Sequence, residues 1–268
     1  MPDTSLQSDT VEILARLRAR RPLVHCLTNQ VVKNFTANVL LAVGATPAMV
    51  EHPDEAEEFA GMADALLVNL GTLDPLQISA IDRAVPAARK ANRPWVLDPV
   101  AVGILGVRTE FARRLLDHEP TLVRGNASEI IALAGQKSQG RGVDSGDHTD
   151  AAIESAQSIA RRTGGVVLVT GRIDYATDGN ETHACANGHE LLTRVTGVGC
   201  AQGALAAACV AVAPSSLAAG VATAAILGIA GEVAATQATR PGSFQMALLD
   251  ALDELDGNLL RDRIRLER

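Results

Sequence analysis

Two glycines one residue apart, Gly197 and Gly199, stand immediately before Cys200 and a run rich in alanine. Glycine lets the backbone turn sharply and approach a ligand closely, and alanine strongly favours helix, so the pattern predicts a turn that opens a helix. The first N–H groups of a helix have no partner inside it, and together with the helix dipole they attract anions. The stretch is therefore a candidate cradle for phosphate.

Cys200 would lie at the positive end of this helix, where a thiol loses its proton more easily. An anion site beside an ionisable side chain supplies two parts of a phosphoryl-transfer centre. The same pattern is also typical of simple packing, because a free cysteine is often a small buried apolar residue, and the local pattern leaves both interpretations open. Two better-known glycine signatures are excluded: no Gly-Lys-Ser/Thr follows, and Gly203 has the wrong spacing for a dinucleotide fingerprint.

Further polar residues stand at or just after the ends of predicted strands. In a parallel α/β sheet, ligands bind at the carboxyl ends of the strands, so we expect these side chains to meet. Each of them alone suits a helix cap or a turn, which is the commoner role for most of these residue types. The set comprises Asn29, Asn69, Asp98, Arg124, Asn126, Glu129 and Thr170.

Together these residues favour phosphoryl transfer. Asp98 and Glu129 supply hard oxygen ligands of the kind that Mg²⁺ takes together with phosphate oxygens and water. Arg124 supplies the planar fork that binds phosphate oxygens. Positioning and electrostatic stabilisation provide most of the catalysis in such reactions, and the glycine turn would add backbone donors.

The elements that must position these residues alternate along the chain. This alternation predicts an α/β fold with a mostly parallel sheet and helices on both faces, and turn signals at 178–180 and 187–188 predict an antiparallel edge. Thr28 and Asn29 suit the cap of the second helix, and Pro86 predicts a kink or break. The predicted strands are 23–27, 46–50, 64–70, 94–97, 121–123 and 166–169. A short surface helix is predicted from the helical spacing of Val11, Leu14 and Leu17 before Pro22. The other predicted helices are 31–43, 54–62, 74–91, 108–117, 127–134, 150–163, 199–213, 215–236 and 244–260.

No repeat or linker divides the sequence, so we expect a flexible N-terminal tail over residues 1–10 and a single domain over 11–268. The tail is polar and does not resemble a signal peptide. Residues 135–149 are rich in Gly, Ser, Asp and Gln and predict a mobile surface loop. Residues 217–235 are nearly uncharged and predict a helix buried in the core, with a membrane span as the alternative.

The composition excludes several classes of partner. A net charge of −7 argues against nucleic acid or an anionic membrane, and 2% aromatic residues argue against a platform for stacking bases. The four cysteines show neither a C-x-x-C pair nor metal-ligand spacing, which favours a reducing, cytoplasmic compartment. Cys200 and Cys209 fall on opposite faces of one predicted helix, so we expect them not to pair.

Seven motifs in order carry a resemblance to a known family that runs over about residues 12–260. They are HCLTNQVV at 25–32, GATPAMV at 44–50, NLGTL at 69–73, VLDPV at 96–100, RGNASEI at 124–130, VTG at 169–171 and TGVGC at 196–200. They resemble the motifs of hydroxyethylthiazole kinases, members of the ribokinase-like superfamily. The resemblance implies a three-layer ribokinase-like fold and phosphorylation of 4-methyl-5-(2-hydroxyethyl)thiazole by ATP with Mg²⁺, a step of thiamine salvage.

The resemblance also implies roles for individual residues and an oligomeric state. Members of the family form homotrimers with active sites at subunit boundaries. The implied roles are contact with the thiazole for Met49, Gly197 and Asn29, binding of ATP for Arg124 and Thr170, association with magnesium for Asp98 and Glu129, and catalysis for Gly197, Gly199 and Cys200.

Cys200 fits the family but differs from the wider superfamily, in which an aspartate base commonly stands at this place. A neutral thiol is a poor base near pH 7, but a loose transition state requires little of one, so we expect a partial role. Two rival functions remain open. One is a related kinase acting on a hydroxymethyl pyrimidine or pyridoxal, and the other is a catalytically silent protein that binds nucleotide or thiazole.

Overall fold

A mixed β-sheet forms the centre of the computed structural model, which describes residues 4–136 and 146–267. Its strands lie in the order β2-β1-β3-β4-β5-β6-β7-β8-β9; β1 to β6 are parallel, and β7 to β9 are antiparallel. The predicted parallel sheet with an antiparallel edge is confirmed. The strands are β1 (Leu23–Leu27), β2 (Thr46–Ala48), β3 (Ala65–Asn69), β4 (Trp95–Asp98), β5 (Leu122–Asn126), β6 (Val166–Thr170), β7 (Asp174–Thr177), β8 (Thr182–Cys185) and β9 (Leu266–Glu267).

Helices cover both faces of this sheet and enclose an apolar core on each side. The core of one face includes residues of α3 to α7, and that of the other includes residues of α1, α2, α8, α9 and α10. The helices are α1 (Thr4–Arg20), α2 (Lys33–Val43), α3 (Pro53–Met62), α4 (Pro75–Lys90), α5 (Gly106–Leu115), α6 (Ala127–Leu133), α7 (Gly146–Thr163), α8 (Val198–Val210), α9 (Ser216–Gln237), α10 (Pro241–Glu254) and α11 (Gly257–Arg263).

The strand order places a topological switch point between β1 and β3. From β1 the chain moves outward to β2, and then returns to the other side of β1 to form β3. Helices leave both strands in opposite directions at such a point, and a crevice opens at the carboxyl ends. Asn29 follows β1, Asn69 ends β3, and Asp98 pairs with Asn69 in the register of β3 and β4. The switch point therefore brings these three residues to one edge.

Helices α8 and α9 are apolar on all sides because they are buried on all sides. They pack against the sheet, while α1 and α10 pack against α9. A methyl group at Gly220 would lie 3.2 Å from Val166 Cγ1 and 3.3 Å from Ala176 Cβ, so this glycine allows α9 close to the sheet. By length and composition alone Ser216–Gln237 could span a membrane, but 83% of its most apolar 18-residue window is buried within the fold. The predicted core helix is confirmed.

The predicted flexible tail is wrong for residues 4–10, which form the first turns of α1. Leu6 is buried in the core, and the Thr10 hydroxyl donates to the Leu6 carbonyl at 2.8 Å. The apolar pattern of this short polar segment is too weak to predict a helix, but packing of Leu6 in the core stabilises one. Residues 1–3 lie outside the described residues.

Three other predictions of local structure are wrong. Neither Thr28 nor Asn29 caps α2, which begins at Lys33 after an uncapped Val32. Helix α4 continues through Pro86, so the predicted break does not occur there, while the predicted kink stays a prediction; packing of the buried face outweighs the missing N–H donor. The predicted helix over 244–260 is two helices, because Asp256 accepts a hydrogen bond from Leu259 N and starts α11.

The predicted loop over 135–149 is only partly described. Helix α7 begins at Gly146, four residues earlier than predicted, while residues 137–145 lie outside the described residues. All four cysteines are free, which confirms that Cys200 and Cys209 do not pair.

Candidate active site

Two asparagines connect the carboxyl ends of β1, β3 and β4. Asn29 Nδ2 donates to Asn69 Oδ1 at 3.0 Å, and Asn69 Nδ2 donates to Asp98 Oδ2 at 2.6 Å. The backbone N–H of Gly71 also donates to Asn69 Oδ1, at 3.0 Å. The orientation of the Asn69 amide is fixed, because its Nδ2 must face the Asp98 carboxylate, which accepts, and its Oδ1 must face the two donors Asn29 Nδ2 and Gly71 N. Asn69 and Asp98 are both fully buried.

Cys200 extends this set of hydrogen bonds into helix α8. Its Sγ accepts from Asn29 Nδ2 at 3.2 Å. We name the four residues Asn29, Asn69, Asp98 and Cys200 the amide chain. A methyl group at Gly71 would lie 2.4 Å from Asn29 Cβ, so only glycine leaves room for this asparagine.

The glycine turn before α8 has the geometry that its sequence predicts. Gly197 is the N-cap of α8 with φ of +93°, in the left-handed region that favours glycine. The first helical hydrogen bond runs from Ala201 N to the Gly197 carbonyl at 2.8 Å. The N–H groups of Gly199 and Cys200 precede that bond and belong to the first turn, whose donors have no partner within a helix.

The expectation that the Cys200 thiol ionises more easily is wrong. Burial raises the pKa of this thiol, and the nearby Asp98 carboxylate raises it further, while hydrogen bonds from Asn69 and Asn29 and the charge of Arg124 act in the opposite direction. Desolvation is the largest contribution, because the thiolate would lose most of its water. Cys200 therefore stays a neutral thiol near pH 7.

A second set of polar contacts surrounds Arg124 on β5. Its Nε donates to Gln202 Oε1 and its Nη2 donates to Thr170 Oγ1, both at 3.1 Å. Gln202 Nε2 in turn donates to Asp174 Oδ2 at 3.1 Å. We name Arg124, Thr170, Gln202 and Asp174 the guanidinium network. A methyl group at Gly199 would lie 3.0 Å from Arg124 Nη2, so the glycine turn lies directly against the guanidinium.

Asp98 lies between the two sets. Its Oδ1 is 3.8 Å from Arg124 Nη1, beyond hydrogen-bond distance, and has no hydrogen-bond partner although it is buried. Burial raises the pKa of Asp98 to about 7, and the charge of Glu129 acts in the same direction, against Arg124 and the Asn69 hydrogen bond. An unpaired buried carboxylate oxygen can serve as a ligand for a cation.

Glu129 has its own hydrogen bonds at the start of α6. Its Oε1 accepts from Ala101 N and its Oε2 accepts from Asn126 N, both at 3.0 Å, while Asn126 caps the helix in a reciprocal capping box. The carboxylate is nonetheless close enough to affect the pKa of Asp98. No group of three or more His, Cys, Asp or Glu side chains suited to enclosing a metal occurs in the part of the chain that the structure describes. Two carboxylates do not fill the coordination shell of Mg²⁺, so Asp98 and Glu129 fit this ion only if phosphate oxygens and water supply its other ligands.

Met49 stands apart from the charged residues. It follows β2, three strands from β4 across the sheet, a separation of about 14 Å at the usual strand spacing. Gly197 lies beside the start of α2, because a methyl group there would be 2.8 Å from Val32 Cγ1 and 3.4 Å from Phe35 Cδ1. The structure joins Arg124 with Thr170 and Asn29 with Cys200 by hydrogen bonds.

Comparison with known proteins identifies the family. The family model described as "Hydroxyethylthiazole kinase family" matches residues 14–258. The chain belongs to the hydroxyethylthiazole kinase family. It is 55% identical over 260 residues to a hydroxyethylthiazole kinase from Granulibacter bethesdensis, with 97% of this chain and 95% of that protein covered. A hydroxyethylthiazole kinase from Cronobacter sakazakii is 53% identical, with 91% of this chain and 92% of that protein covered.

A solved structure of another family member has the same fold. The hydroxyethylthiazole kinase protein from Pyrococcus horikoshii is 39% identical, with a TM-score of 0.89 and coverage of 97% of this chain and 98% of that chain. A pyridoxal kinase structure from Staphylococcus aureus has a TM-score of 0.59 at 18% identity, covering 79% of this chain and 87% of that one, and supports the fold alone. The predicted ribokinase-like fold is confirmed.

Sequence reasoning about this family member did not find the residues that hold Arg124. Gln202 lies three residues after Gly199, one turn along α8, so helical spacing could have placed it beside the glycine turn. Asp174 starts the antiparallel strand β7, and nothing in its local sequence links it to Gln202. Asn69 was in the set of strand-end residues, but its sequence gave no sign that it joins Asn29 to Asp98.

Proposed function

We propose that this chain transfers a phosphoryl group from ATP to the hydroxyl of 4-methyl-5-(2-hydroxyethyl)thiazole, a step of thiamine salvage. Membership of the hydroxyethylthiazole kinase family supports the substrate. The observation that carries the mechanism is the contact between Arg124 and the first turn of α8 at Gly199. A full positive charge and unpaired helix N–H groups converge there, and both stabilise a transferring phosphoryl group.

In the proposed mechanism, the guanidinium network holds the phosphates of ATP. Arg124 presents a charged fork, and the Thr170 hydroxyl beside it accepts a hydrogen bond from Nη2 and orients that fork. The N–H groups of Gly199 and Cys200 receive the negative charge on the γ-phosphoryl oxygens. Because these donors are fixed by the fold before substrate binds, they need little reorganisation during the reaction.

Asp98 and Glu129 are the residues that would hold magnesium. The unpartnered Oδ1 of Asp98 supports a direct ligand, whereas both oxygens of Glu129 already accept backbone hydrogen bonds and contribute negative charge nearby. When bound, Mg²⁺ neutralises charge on the phosphate oxygens of ATP.

The amide chain is proposed to orient the alcohol, with Met49 contacting the thiazole. The alcohol oxygen forms a bond to the γ-phosphorus while the bond to the leaving ADP oxygen breaks, and the hydroxyl proton is lost late. The Cys200 thiol has a raised pKa and stays neutral, so it lines the site and does not act as a strong base. Gly197 provides the sharp turn that exposes the donors of α8.

The test is a coupled assay of ADP release with the thiazole alcohol, ATP and Mg²⁺. We expect release that depends on the alcohol and disappears when a chelator removes the metal. The assay is repeated with pyridoxal and a hydroxymethyl pyrimidine at equal concentration. A higher kcat/KM for either of those alcohols, or ATP binding without any ADP release, would contradict the proposed function.

We also propose a homotrimer whose active sites lie at subunit boundaries, as the family resemblance implies. Val31 is 70% exposed two residues after Asn29, and Ile104 is 83% exposed in the segment that follows β4. Burial of such apolar side chains against a neighbouring subunit would remove them from water. Light scattering should give three times the 27.9 kDa chain mass. A cytoplasmic location is proposed from the four free cysteines, and cell fractionation tests it.

A further inference from the structure

The Gln202 amide is a buried link between two charged groups of opposite sign. Only 5% of Gln202 is exposed, and its side chain lies between the Arg124 guanidinium and the Asp174 carboxylate. A glutamine amide has one acceptor and one donor end. Because the carboxylate can only accept, Nε2 must face Asp174, and Oε1 is thereby directed at Arg124. The carboxylate thus determines which end of the amide meets the guanidinium.

Asp174 also holds the turn that carries Thr170. Its Oδ1 accepts from Gly171 N at 3.0 Å, while its Oδ2 accepts from Gln202. One carboxylate therefore connects the end of β6 with helix α8. Both hydrogen bonds that Arg124 donates, to Gln202 Oε1 and to Thr170 Oγ1, depend on this connection.

The position of Arg124 depends on these bonds because another partner lies close by. Asp98 Oδ1 is 3.8 Å from Arg124 Nη1 and has no hydrogen bond of its own. Two opposite charges in a buried site attract strongly, and a direct hydrogen bond would be shorter than this separation. Arg124 is held at Nε and Nη2 from the side away from Asp98 Oδ1. Without that restraint the guanidinium would close on Asp98 and neutralise both groups.

We propose that Gln202 and Asp174 are positioning residues that hold Arg124 away from Asp98 and ready for the phosphates of ATP. The inference rests on the proposed function, because it takes ATP as the ligand of Arg124. It assigns no contact with ATP to Gln202 or Asp174 themselves. Their role is to keep the charge of Arg124 available.

The test compares Gln202→Met and Asp174→Asn with the unaltered full-length protein. Methionine keeps the length of glutamine but removes both ends of the amide, and asparagine keeps the shape of aspartate but has one acceptor for two donors. We expect each change to weaken ATP binding about tenfold, as loss of one hydrogen bond to a charged group does. Calorimetric titration with ATP alone measures this affinity, and steady-state kinetics should show a raised KM for ATP with KM for the thiazole alcohol within about twofold.

Two matched substitutions control for structural damage. Gln157→Met removes an amide that donates to Thr182 Oγ1 at 3.1 Å, and Asp178→Asn alters a carboxylate that accepts from Asn180 N and Glu181 N. Both lie away from Arg124. We expect changes of Tm similar to those of the test variants but unaltered affinity for ATP.

The double variant separates positioning from general loss of packing. Because Gln202 and Asp174 restrain the same guanidinium, the double variant Asp174→Asn with Gln202→Met should lose less ATP affinity than the sum of the two single losses. Unchanged ATP affinity in a folded Gln202→Met protein would overturn the proposal. If Gln202→Met does not fold, an unchanged ATP affinity in Asp174→Asn would overturn the proposal instead.

The outcomes distinguish this inference from the proposed function. If the unaltered protein binds ATP in calorimetry but does not phosphorylate the thiazole alcohol, the proposed function fails while the affinity comparison still decides the role of Gln202 and Asp174. If the protein phosphorylates the alcohol and the variants bind ATP normally, the function stands and the inference fails.

Discussion

The two halves of the site differ in the source and charge of their polar groups. The amide chain contains two neutral amides, at the ends of neighbouring strands β1 and β3, which connect the Asp98 carboxyl on β4 with the Cys200 thiol on α8. The guanidinium network is charged, and it combines parallel strands β5 and β6 with the antiparallel strand β7 and the second turn of α8. Asp98 belongs to the first half and lies 3.8 Å from Arg124 in the second.

The comparison indicates a division of labour. Neutral amides orient a small polar molecule without adding charge, so Asn29 and Asn69 of the amide chain suit an uncharged alcohol. A guanidinium with remaining donors suits phosphate, whose charge it stabilises. Substitutions in the guanidinium network should therefore affect ATP, whereas those in the amide chain should affect turnover and stability.

The largest expected effect follows from removing the charge of the guanidinium network. Arg124→Met should lower kcat/KM for ATP by about 100- to 1000-fold, as loss of a preorganised electrostatic donor does. KM for the thiazole alcohol should change little. The coupled ADP assay measures both. Arg161→Met is the control, because this arginine donates to the Gly179 carbonyl at 2.7 Å and should leave kinetics intact. A near-normal kcat/KM in Arg124→Met would show that the guanidinium network does not contribute to catalysis.

The next effect concerns the centre of the amide chain. Asn69→Leu leaves Asp98 Oδ2 and Gly71 N without a partner and removes one of the two hydrogen bonds that Asn29 Nδ2 donates, so the free energy of unfolding should fall by about 2–4 kcal/mol. Urea denaturation measures this change, and kcat should fall with it. Asn38→Leu, on α2, loses one exposed hydrogen bond to Asn34 and should change stability by less than about 0.5 kcal/mol. Equal effects of the two substitutions would contradict the linking role of Asn69.

A smaller effect is expected at the thiol. Cys200→Ala should lower kcat by no more than about tenfold, because a late proton transfer requires little from a base. Cys200→Asp should keep or raise turnover, since Asp98 nearby would raise the pKa of the new carboxyl and make it a better base near neutral pH. A completely inactive Cys200→Ala enzyme that still binds ATP would show that the thiol is essential.

The smallest effect is expected at His25, four residues before Asn29 of the amide chain. His25 is fully buried on β1, its Nε2 lies 2.7 Å from the Val50 carbonyl, and burial lowers its pKa. Below pH 6.5 His25 binds a proton in the unfolded chain but stays neutral in the folded protein, so the free energy of unfolding falls as the pH decreases. His25→Gln should have a flatter acid slope between pH 6.5 and 5 in urea denaturation. An unchanged slope would assign the acid sensitivity to other groups.

Much of the site could be predicted from sequence because strand ends are local signals. Apolar runs followed by Asn, Asp or Arg placed Asn69, Asp98 and Arg124 at one edge of a parallel sheet, and two glycines predicted the turn before α8. The predicted caps at Thr28 and Asn29 failed because a side chain that suits a cap can instead bind elsewhere. Asn29 contacts Cys200, 171 residues away in sequence.

The sequence by itself determined the alternation of strands and helices, the glycine turn and the polar residues at the strand ends, because each depends on residues within a few positions. Tertiary structure decided which of those residues meet, the pairing of Gln202 with Asp174, and the pKa of Cys200. Desolvation and hydrogen bonds between distant elements exist only after the chain is packed. A local pattern therefore predicts which groups are present but not how burial changes their chemistry.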